Sequence, residues 1–428
     1  MKMDLNVNSF AVAIVLLLSY FEIGLLRSIF FPHSIILLGA LFISLFIFIA
    51  NAKVIKINAY EMMWIIAITV LVVFRNQYLS IGENDYNILY YFILCSIIIF
   101  TKYQTSWINY FINFLFWISL LHSVVTIMFA INKGLYWQFI HTFMNGDVLQ
   151  DNILRFNSGT ISGLFPNYGA NACMISIGTG IAIIRIMIKK KEKLIMNILH
   201  IIIRLTALIF TGKRSPIIMM TVALVIIYLI IENRNNVKKV FKVILIGSSL
   251  ILLFTIVAPL IPELNVLYNR LMNTDDWETL GGRTQLYELA SEMIKNNPLF
   301  GSGWNSYKLF SENTIGRYYL HQFSRMQAHN IYLQMMSEVG IFGTLIILFL
   351  FIFPMKNGFH MCKSYGIDGL KRIMDEEQTF GLIASIFILL FFLLYGFTGN
   401  PLYDAYIYFP AFLSCAAIQG LSNIKIKH

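Results

Sequence analysis

The stretch TFGLIASIFILLFFLLYGF, residues 379–397, contains no charged side chain and is long enough for a helix that crosses a bilayer. Within lipid such a run must be helical, because a helix satisfies its own backbone hydrogen bonds. The sequence therefore predicts an all-α polytopic transmembrane helical bundle of about 12 spans. The other predicted spans are about 10–31, 34–50, 57–74, 87–100, 107–131, 168–188, 194–211, 216–232, 243–262, 331–354 and 402–421.

The composition supports this class and disfavours two others. Hydrophobic residues make up 58% of the 428 residues and charged residues 13%, about half the charged share of a soluble domain. A β-barrel is disfavoured because barrel strands alternate in polarity, which these runs do not. The net charge of +10 does not indicate nucleic-acid binding, since the basic residues lie in separate loops and form no single basic face.

Lysine and arginine residues predict the orientation through the positive-inside rule. With the N-terminus in the cytoplasm, the inner segments carry eighteen of them and the short outer loops carry six. Both termini are therefore predicted to face the cytoplasm. The six outer residues are Arg27, Arg75, Lys133, Arg155, Lys213 and Arg214.

The predicted spans divide the chain into four regions. They are N-terminal transmembrane helices at 1–131, central transmembrane helices at 132–262 with an outer loop at 132–167, a large outer loop at 263–330, and C-terminal transmembrane helices at 331–428. Both outer loops are too long to be simple connectors. Within the larger one, apolar residues recur at helical spacing from Arg283 to Asn296, which predicts an amphipathic helix. Any chemistry is therefore expected at the outer surface.

Basic residues recur in short motifs at this predicted surface. Thr211-Gly-Lys-Arg-Ser-Pro216 forms a tight turn between two spans. Lys213 and Arg214 in this outer turn are exceptions to the positive-inside bias. Such an exception favours an anion site over ordinary contact with lipid head groups. Arg283 follows two glycines at the start of the amphipathic helix, where backbone N–H groups favour an anion. Arg155 precedes a glycine-containing turn that leads into a span.

Other polar and aromatic residues near the membrane could have a structural or a functional role. His329 stands at the start of a span, where a neutral imidazole can accept a proton near physiological pH, although a lone histidine there is more often structural. Glu338 lies near the opposite helix face from His329 and is interpreted as a packing or buried hydrogen-bonding residue. Trp304 suits either interfacial anchoring or sugar stacking. Glu22 and Arg204 fall within spans and are predicted to face the bundle interior or a polar cavity, which Asp404 could also line.

The order of these motifs resembles the O-antigen ligase and polymerase superfamily of bacterial envelope enzymes. The resemblance covers about 150–345 and rests on Thr-Gly-Lys-Arg-Ser, Gly-Gly-Arg283, Asn-Asn-Pro-Leu-Phe-Gly-Ser-Gly and His329-Asn-Ile-Tyr-Leu, followed by Glu-Val-Gly-Ile-Phe-Gly343. It implies a GT-C-like fold in the bacterial cytoplasmic membrane. It also implies a metal-independent glycosyltransferase without a cofactor, acting on undecaprenyl-diphosphate-linked glycans at the outer face of that membrane.

The resemblance also implies roles for individual residues. Arg214 and Arg283 would hold the diphosphate of the lipid-linked donor and stabilise its departure, and His329 would activate the acceptor hydroxyl. The family motif has a small residue in place of Lys213, which could be an additional phosphate contact. The predicted substrate-binding residues are Arg155, Lys213, Gly282, Asn330 and Trp304. The expected partners are the lipid-linked glycans, membrane lipid, a chain-length regulator and a flippase, and no nucleic acid.

Three activities remain open at this point. A polymerase is favoured, because it suits O-antigen, capsule and exopolysaccharide pathways alike. A ligase would transfer the glycan to lipid A-core instead. A polysaccharide-lipid flippase or other transporter could also have about a dozen spans, and the intramembrane Glu22 and Arg204 favour it. Against transport, the two halves show no internal repeat, and the candidate residues cluster at one surface rather than at the midplane.

Overall fold

The structure is a computed structural model that describes residues 59–73, 105–144, 146–157, 159–188, 194–231, 258–260, 265, 268, 283–314 and 327–422. These residues form helices and loops, with no β-strand among them. The predicted spans at 10–31, 34–50 and 87–100, and nearly all of 243–262, lie outside the described residues. So do Glu22, Gly281 and Gly282.

Twelve α-helices occur in the described part of the chain. They are α1 Ala59–Val73, α2 Ser106–Ile131, α3 Lys133–Phe143, α4 Gly146–Asn157, α5 Tyr168–Ile188, α6 Leu194–Thr211, α7 Arg214–Ile231, α8 Thr284–Asn296, α9 Ser306–Thr314, α10 Ile331–Ile373, α11 Glu376–Tyr395 and α12 Ala405–Ser422. Short 3-10 helices occupy Ala258–Leu260 and Pro401–Tyr403.

Six of the described helices are long and apolar enough to cross a membrane, namely α2, α5, α6, α7, α10 and α11. Within α12, Tyr406–Ser422 is a shorter apolar helix. The chain is therefore an integral membrane protein with an all-α polytopic fold, as the sequence predicts. The total of about 12 spans stays a prediction.

Helices α5 and α11 form the centre of the bundle. Most of their residues are buried, and they pack against each other and against α2, α7 and α12. Phe387 of α11 is fully buried at this centre. By contrast, α6 exposes a row of apolar side chains that includes Leu199 and Ile202, as a lipid-facing helix does.

Arg204 lies in α6 and is completely buried. Its guanidinium donates hydrogen bonds to Ser119 Oγ at 3.1 Å and to the backbone carbonyls of Phe116 at 2.5 Å and His200 at 3.1 Å. It also lies 4.4 Å from the ring centroid of Phe116. These contacts offset part of the cost of burying a charge, and they confirm the prediction that Arg204 faces the bundle interior.

Helix α10 continues well beyond residue 354, where the predicted span ends. Pro354 has no backbone N–H and leaves the carbonyl of Leu350 without its helical partner. The hydroxyl of Tyr60 in α1 donates to that carbonyl at 2.7 Å. The helix can therefore continue to Ile373, with breaks at Gly340 and Gly366.

The ends of the bundle can be assigned from contacts near Lys371. Its ammonium donates to the carbonyl of Ile188, the last residue of α5, at 2.7 Å, and to Glu376 at 3.0 Å. The C-termini of α5 and α10 and the N-terminus of α11 therefore share one end. The opposite end, called the site end below, holds the start of α5, the end of α6 and the start of α10.

Candidate functional site

Backbone and side-chain hydrogen bonds bring the loops of the site end together. The N–H of Ile161 donates to the carbonyl of Phe210 at 3.0 Å, which joins the loop before α5 to the end of α6. The N–H of Ile331 donates to the carbonyl of Gly396 at 2.9 Å, which joins the start of α10 to the end of α11. The motifs predicted to form the site therefore meet at one end of the bundle.

Arg155 is placed by a polar core within the loop 132–167. The hydroxyl of Tyr136 contacts Ser162 Oγ at 2.9 Å and donates to Asn152 Oδ1 at 3.2 Å. The Asn152 amide donates to the carbonyl of Pro166 at 2.8 Å. These bonds fix α4 against the turn that precedes α5, and Arg155 stands in the last turn of α4.

Tyr168, the first residue of α5, contacts two of the predicted basic residues. The guanidinium of Arg155 lies 5.0 Å from the ring centroid and the ammonium of Lys213 lies 4.3 Å from it. Arg155 also pairs with Asp151 at 3.4 Å, and both of these side chains are about half exposed. The structure therefore brings Arg155 and Lys213 together around one aromatic ring.

The turn between α6 and α7 presents the next basic residue. Gly212 has a φ of +62°, which reverses the chain after Thr211. Arg214 then begins α7, and its side chain is partly buried. An arginine at the N-terminus of a helix is an arrangement that favours an anion.

The charges of Arg283 and Lys213 both lower the pKa of His329. Burial is the largest cause that lowers the pKa of His329, followed by the positive charges of Arg283 and Lys213, and the pKa falls to about 3. The expectation of a pKa near ambient pH is therefore wrong for the protein without substrate. A proton on this imidazole would be poorly solvated and would be repelled by two cations.

His329 has a backbone conformation that is uncommon for a residue with a side chain. Its φ is +52°, in the left-handed region. Asn330 follows as the N-cap of α10, and its side-chain oxygen accepts from the N–H groups of Tyr332 at 3.1 Å and Leu333 at 3.3 Å. Asn330 thus has a structural role at the helix start, and its predicted contact with substrate stays a prediction.

Glu338 is fully buried and accepts hydrogen bonds from several segments. Its carboxylate accepts from the amide of Gln334 at 3.1 Å, the N–H of Asn305 at 2.9 Å, the N–H of Tyr307 at 3.4 Å and the hydroxyl of Tyr403. These five residues are called the Glu338 cluster. The interpretation of Glu338 as a buried hydrogen-bonding residue is confirmed.

Trp304 is 5% exposed, and its ring stacks on Tyr403 with centroids 5.1 Å apart. One face of the indole is therefore covered, and sugar stacking on Trp304 stays a prediction. The predicted contact Gly282 lies outside the described residues, just before Arg283.

The sequence analysis did not identify three residues at this end of the bundle, and it did not decide the role of a fourth. Tyr168 was not singled out, although an aromatic residue at a span start beside basic motifs is a usable signal. Gln334 was missed, although a polar pair at i and i+4 with Glu338 indicates a contact within a helix. Tyr403 has no comparable signal. Asp404 could line the polar cavity predicted for Glu22 and Arg204, and this stays a prediction.

Comparisons with known proteins agree with the motifs. Residues 199–348 match the model of a protein family described as O-antigen ligase. No curated protein matches the chain. The matched segment includes Lys213, Arg214, Arg283 and His329, whereas Arg155 lies outside it. The match supports a membrane protein that ligates or polymerises glycans, and it confirms the resemblance of residues 199–348 to the O-antigen ligase and polymerase superfamily.

Proposed function

We propose that this protein is a glycosyltransferase that polymerises undecaprenyl-diphosphate-linked oligosaccharide repeat units at the outer face of the bacterial cytoplasmic membrane. One observation carries the proposal. Lys213 and Arg283, from motifs far apart in the sequence, are both close enough to His329 for their charges to lower its pKa. Two cations beside a neutral imidazole suit a reaction that expels a diphosphate and removes a proton from a hydroxyl.

The reaction is a substitution at the anomeric carbon of the donor sugar. The acceptor hydroxyl oxygen bonds to that carbon while the bond from the carbon to the phosphate oxygen breaks. The lipid diphosphate leaves with the electron pair, and Arg214, Arg283 and Lys213 stabilise its charge. His329 takes the hydroxyl proton. A single displacement of this kind inverts the anomeric configuration, and it needs no metal or cofactor.

The low pKa of His329 fits this sequence of events. In the protein without substrate the imidazole is neutral but a weak base, because a base with a pKa of about 3 holds a proton poorly. A bound diphosphate would offset the charges of Arg283 and Lys213, which are two of the three causes of the lowered pKa. His329 would therefore become a stronger base only when the donor is in place.

The remaining predicted contacts extend this anion site. Arg155 and Lys213, held together by Tyr168, form a second basic edge that a lipid diphosphate or an anionic sugar could contact. We assign Gly282, Asn330 and Trp304 to substrate binding on the resemblance alone. The partners expected on the same basis are a flippase that supplies the substrate and a chain-length regulator.

A ligase is the second candidate, because the matching family is described as O-antigen ligase. A ligase would use the same donor chemistry with lipid A-core sugar as the acceptor. The transporter alternative lacks comparable support, since the hydrogen bonds and ring contact of Arg204 give that residue a structural role.

Envelope polysaccharide from a deletion strain tests the proposal. The strain is complemented with wild type, His329→Ala or Arg283→Ala, and the polysaccharide is separated on a gel. Single repeat units on lipid A-core in the variants indicate a lost polymerase. Absence of any attached chain, with lipid-linked polymer accumulating, indicates a lost ligase. Wild-type polymer from both variants would refute both activities.

A further inference from the structure

The Glu338 cluster consists of one acceptor and four donors. Glu338 lies in the first segment of α10, before the break at Gly340, and its carboxylate is fully buried. Oε2 accepts from the N–H of Asn305 and the hydroxyl of Tyr403, while Oε1 accepts from Gln334 and from the N–H of Tyr307. Burial and the neighbouring carboxylate raise the pKa of Tyr403 well above its usual range, so its hydroxyl keeps the proton that it donates.

Four donors around two oxygens favour the ionised carboxylate at this position. Both oxygens of an ionised glutamate accept, whereas a glutamine has one accepting oxygen and a donating amino group. Glutamine at 338 has nearly the same shape, but its amino group would face two donors whichever way the amide is turned. A role in packing alone would be served equally well by either residue.

The cluster reaches the backbone next to His329. The amide of Gln334 donates to Glu338 through Nε2, which leaves Oε1 to accept the N–H of Ala328 at 3.1 Å. Glu338 therefore determines which way the Gln334 amide faces. In that orientation the side-chain oxygen of Gln334 holds Ala328, the residue immediately before His329.

The two non-glycine residues with positive φ in the described part of the chain, Asn305 and His329, are both held by this cluster. Asn305 has a φ of +65° and donates its N–H directly to Glu338. His329 has a φ of +52° and follows Ala328, which Gln334 holds. Such conformations cost about 1–3 kcal/mol each and persist only where the surroundings impose them.

We propose that Glu338 is a positioning residue for His329 and acts through Gln334 and Ala328. Loss of the carboxylate would let the Gln334 amide turn over, free the Ala328 N–H and relax the strained backbone at His329. The imidazole would then leave its place beside Arg283 and Lys213. The effect on the backbone follows from the contacts, whereas its effect on catalysis rests on the proposed glycosyltransferase function.

Diethyl pyrocarbonate, which modifies neutral imidazole, reports the position of His329 without any turnover. The full-length protein in nanodiscs is treated and the modification of His329 is followed by peptide mass spectrometry. We expect Glu338→Gln to modify at least fivefold faster than wild type, because the histidine is no longer held in its partly buried place. Gln334→Met keeps the carboxylate but removes the link to Ala328 and one of the four hydrogen bonds to Glu338, and it should show a similar rise. Wild-type rates in both variants would overturn the proposal.

Exchange of the two residues provides a rescue test. The double variant combines Gln334→Glu with Glu338→Gln. The glutamate at 334 accepts from the N–H of Ala328 and from the amide of the glutamine at 338. The oxygen of that glutamine can still accept from Asn305 and Tyr403. The double variant should return the His329 modification rate to within twofold of wild type. If Glu338→Gln alone fails to fold, the double variant should still fold. A double variant that modifies as fast as the single one would contradict the link.

Activity assays separate this inference from the proposed function. With purified lipid-linked repeat units, Glu338→Gln should lower kcat at least tenfold with less than a twofold change in the donor KM, because the basic residues are untouched. The matched control is Glu376→Gln, which changes a partly buried pair at the opposite end of the bundle. No turnover by wild type would count against the proposed function. Full turnover by Glu338→Gln would count against the positioning role alone.

Discussion

The ammonium of Lys213 lies 4.3 Å from the ring centroid of Tyr168. This contact joins the turn between α6 and α7 to the first residue of α5. Because Arg155 lies over the same ring, Tyr168 connects the loop 132–167 with the segment that matches the O-antigen ligase family. The basic residues at this end are thus held by an aromatic side chain as well as by their own helices.

Replacement of Tyr168 tests this connection. Tyr168→Leu removes two cation–π contacts, each of about 0.5–1 kcal/mol, so the KM for the lipid-linked donor should rise several-fold. Tyr168→Phe keeps the ring and should stay within twofold of wild type. Steady-state kinetics on the two variants tests this expectation. Equal donor KM values for Tyr168→Leu and Tyr168→Phe would show that the ring does not organise the donor site.

Arg283 provides a test of charge against geometry. If it forms bidentate hydrogen bonds to a phosphate, Arg283→Lys retains the charge but loses the paired donors and should lower kcat/KM about tenfold or more. Arg283→Ala should lower it about 100-fold or more. Arg372→Ala, an exposed arginine near the opposite end, is the matched control and should leave kcat/KM unchanged. An active Arg283→Ala enzyme would remove this residue from the site.

The charge state of His329 predicts an unusual pH dependence. Its pKa is lowered to about 3, so the imidazole remains neutral as the pH falls from 7.5 to 5.5. Its rate of modification by diethyl pyrocarbonate should therefore change little, once it is corrected for decay of the reagent. N-acetylhistidine, with a pKa near 6.5, should slow about tenfold over the same range. A tenfold decrease at His329 itself would contradict the described environment.

Gly340 marks the break in α10 on which the turn 297–303 rests. It has a φ of +65°, and a Cβ atom there would lie 2.2 Å from the carbonyl oxygen of Leu299. Gly340→Ala should therefore lower the thermal unfolding temperature strongly. Gly146→Ala is the matched control, because Gly146 has a φ of +54° but no neighbour within 4 Å of its Cβ position. Equal decreases in the two variants would mean that backbone strain, and not the close contact, sets the cost.

Hydrophobic length and helical spacing predicted much of the fold. The bounds 168–188 and 194–211 coincide with α5 and α6, and the amphipathic helix predicted from Arg283 to Asn296 is α8. Local pattern suffices for such elements because their apolar residues recur at helical intervals or fill a span. The pattern does not show that α10 continues past Pro354, because the carbonyl freed by this proline is bonded by Tyr60, which is distant in sequence.

The candidate site was predictable in part for a similar reason. Motif order pointed to Arg214, Arg283 and His329, with Lys213 as an additional phosphate contact. The structure places Arg283 and Lys213 close enough to His329 for their charges to lower its pKa. The low pKa of His329 could not be read from the motifs, since it arises from burial and from charges on other elements. The contact of Tyr403 with Glu338 could not be predicted either, because it joins the 3-10 helix Pro401–Tyr403 to α10, and only the fold brings these two elements together.

Turnover by the purified protein tests the central claim most directly. The full chain in nanodiscs is given purified undecaprenyl-diphosphate-linked repeat units in the presence of a metal chelator and without nucleotide. We expect a ladder of longer glycans, one lipid diphosphate released for each new linkage, and loss of both products in His329→Ala and Arg283→Ala. Lipid diphosphate release at the wild-type rate by these variants, or glycan extension without that release, would contradict the account.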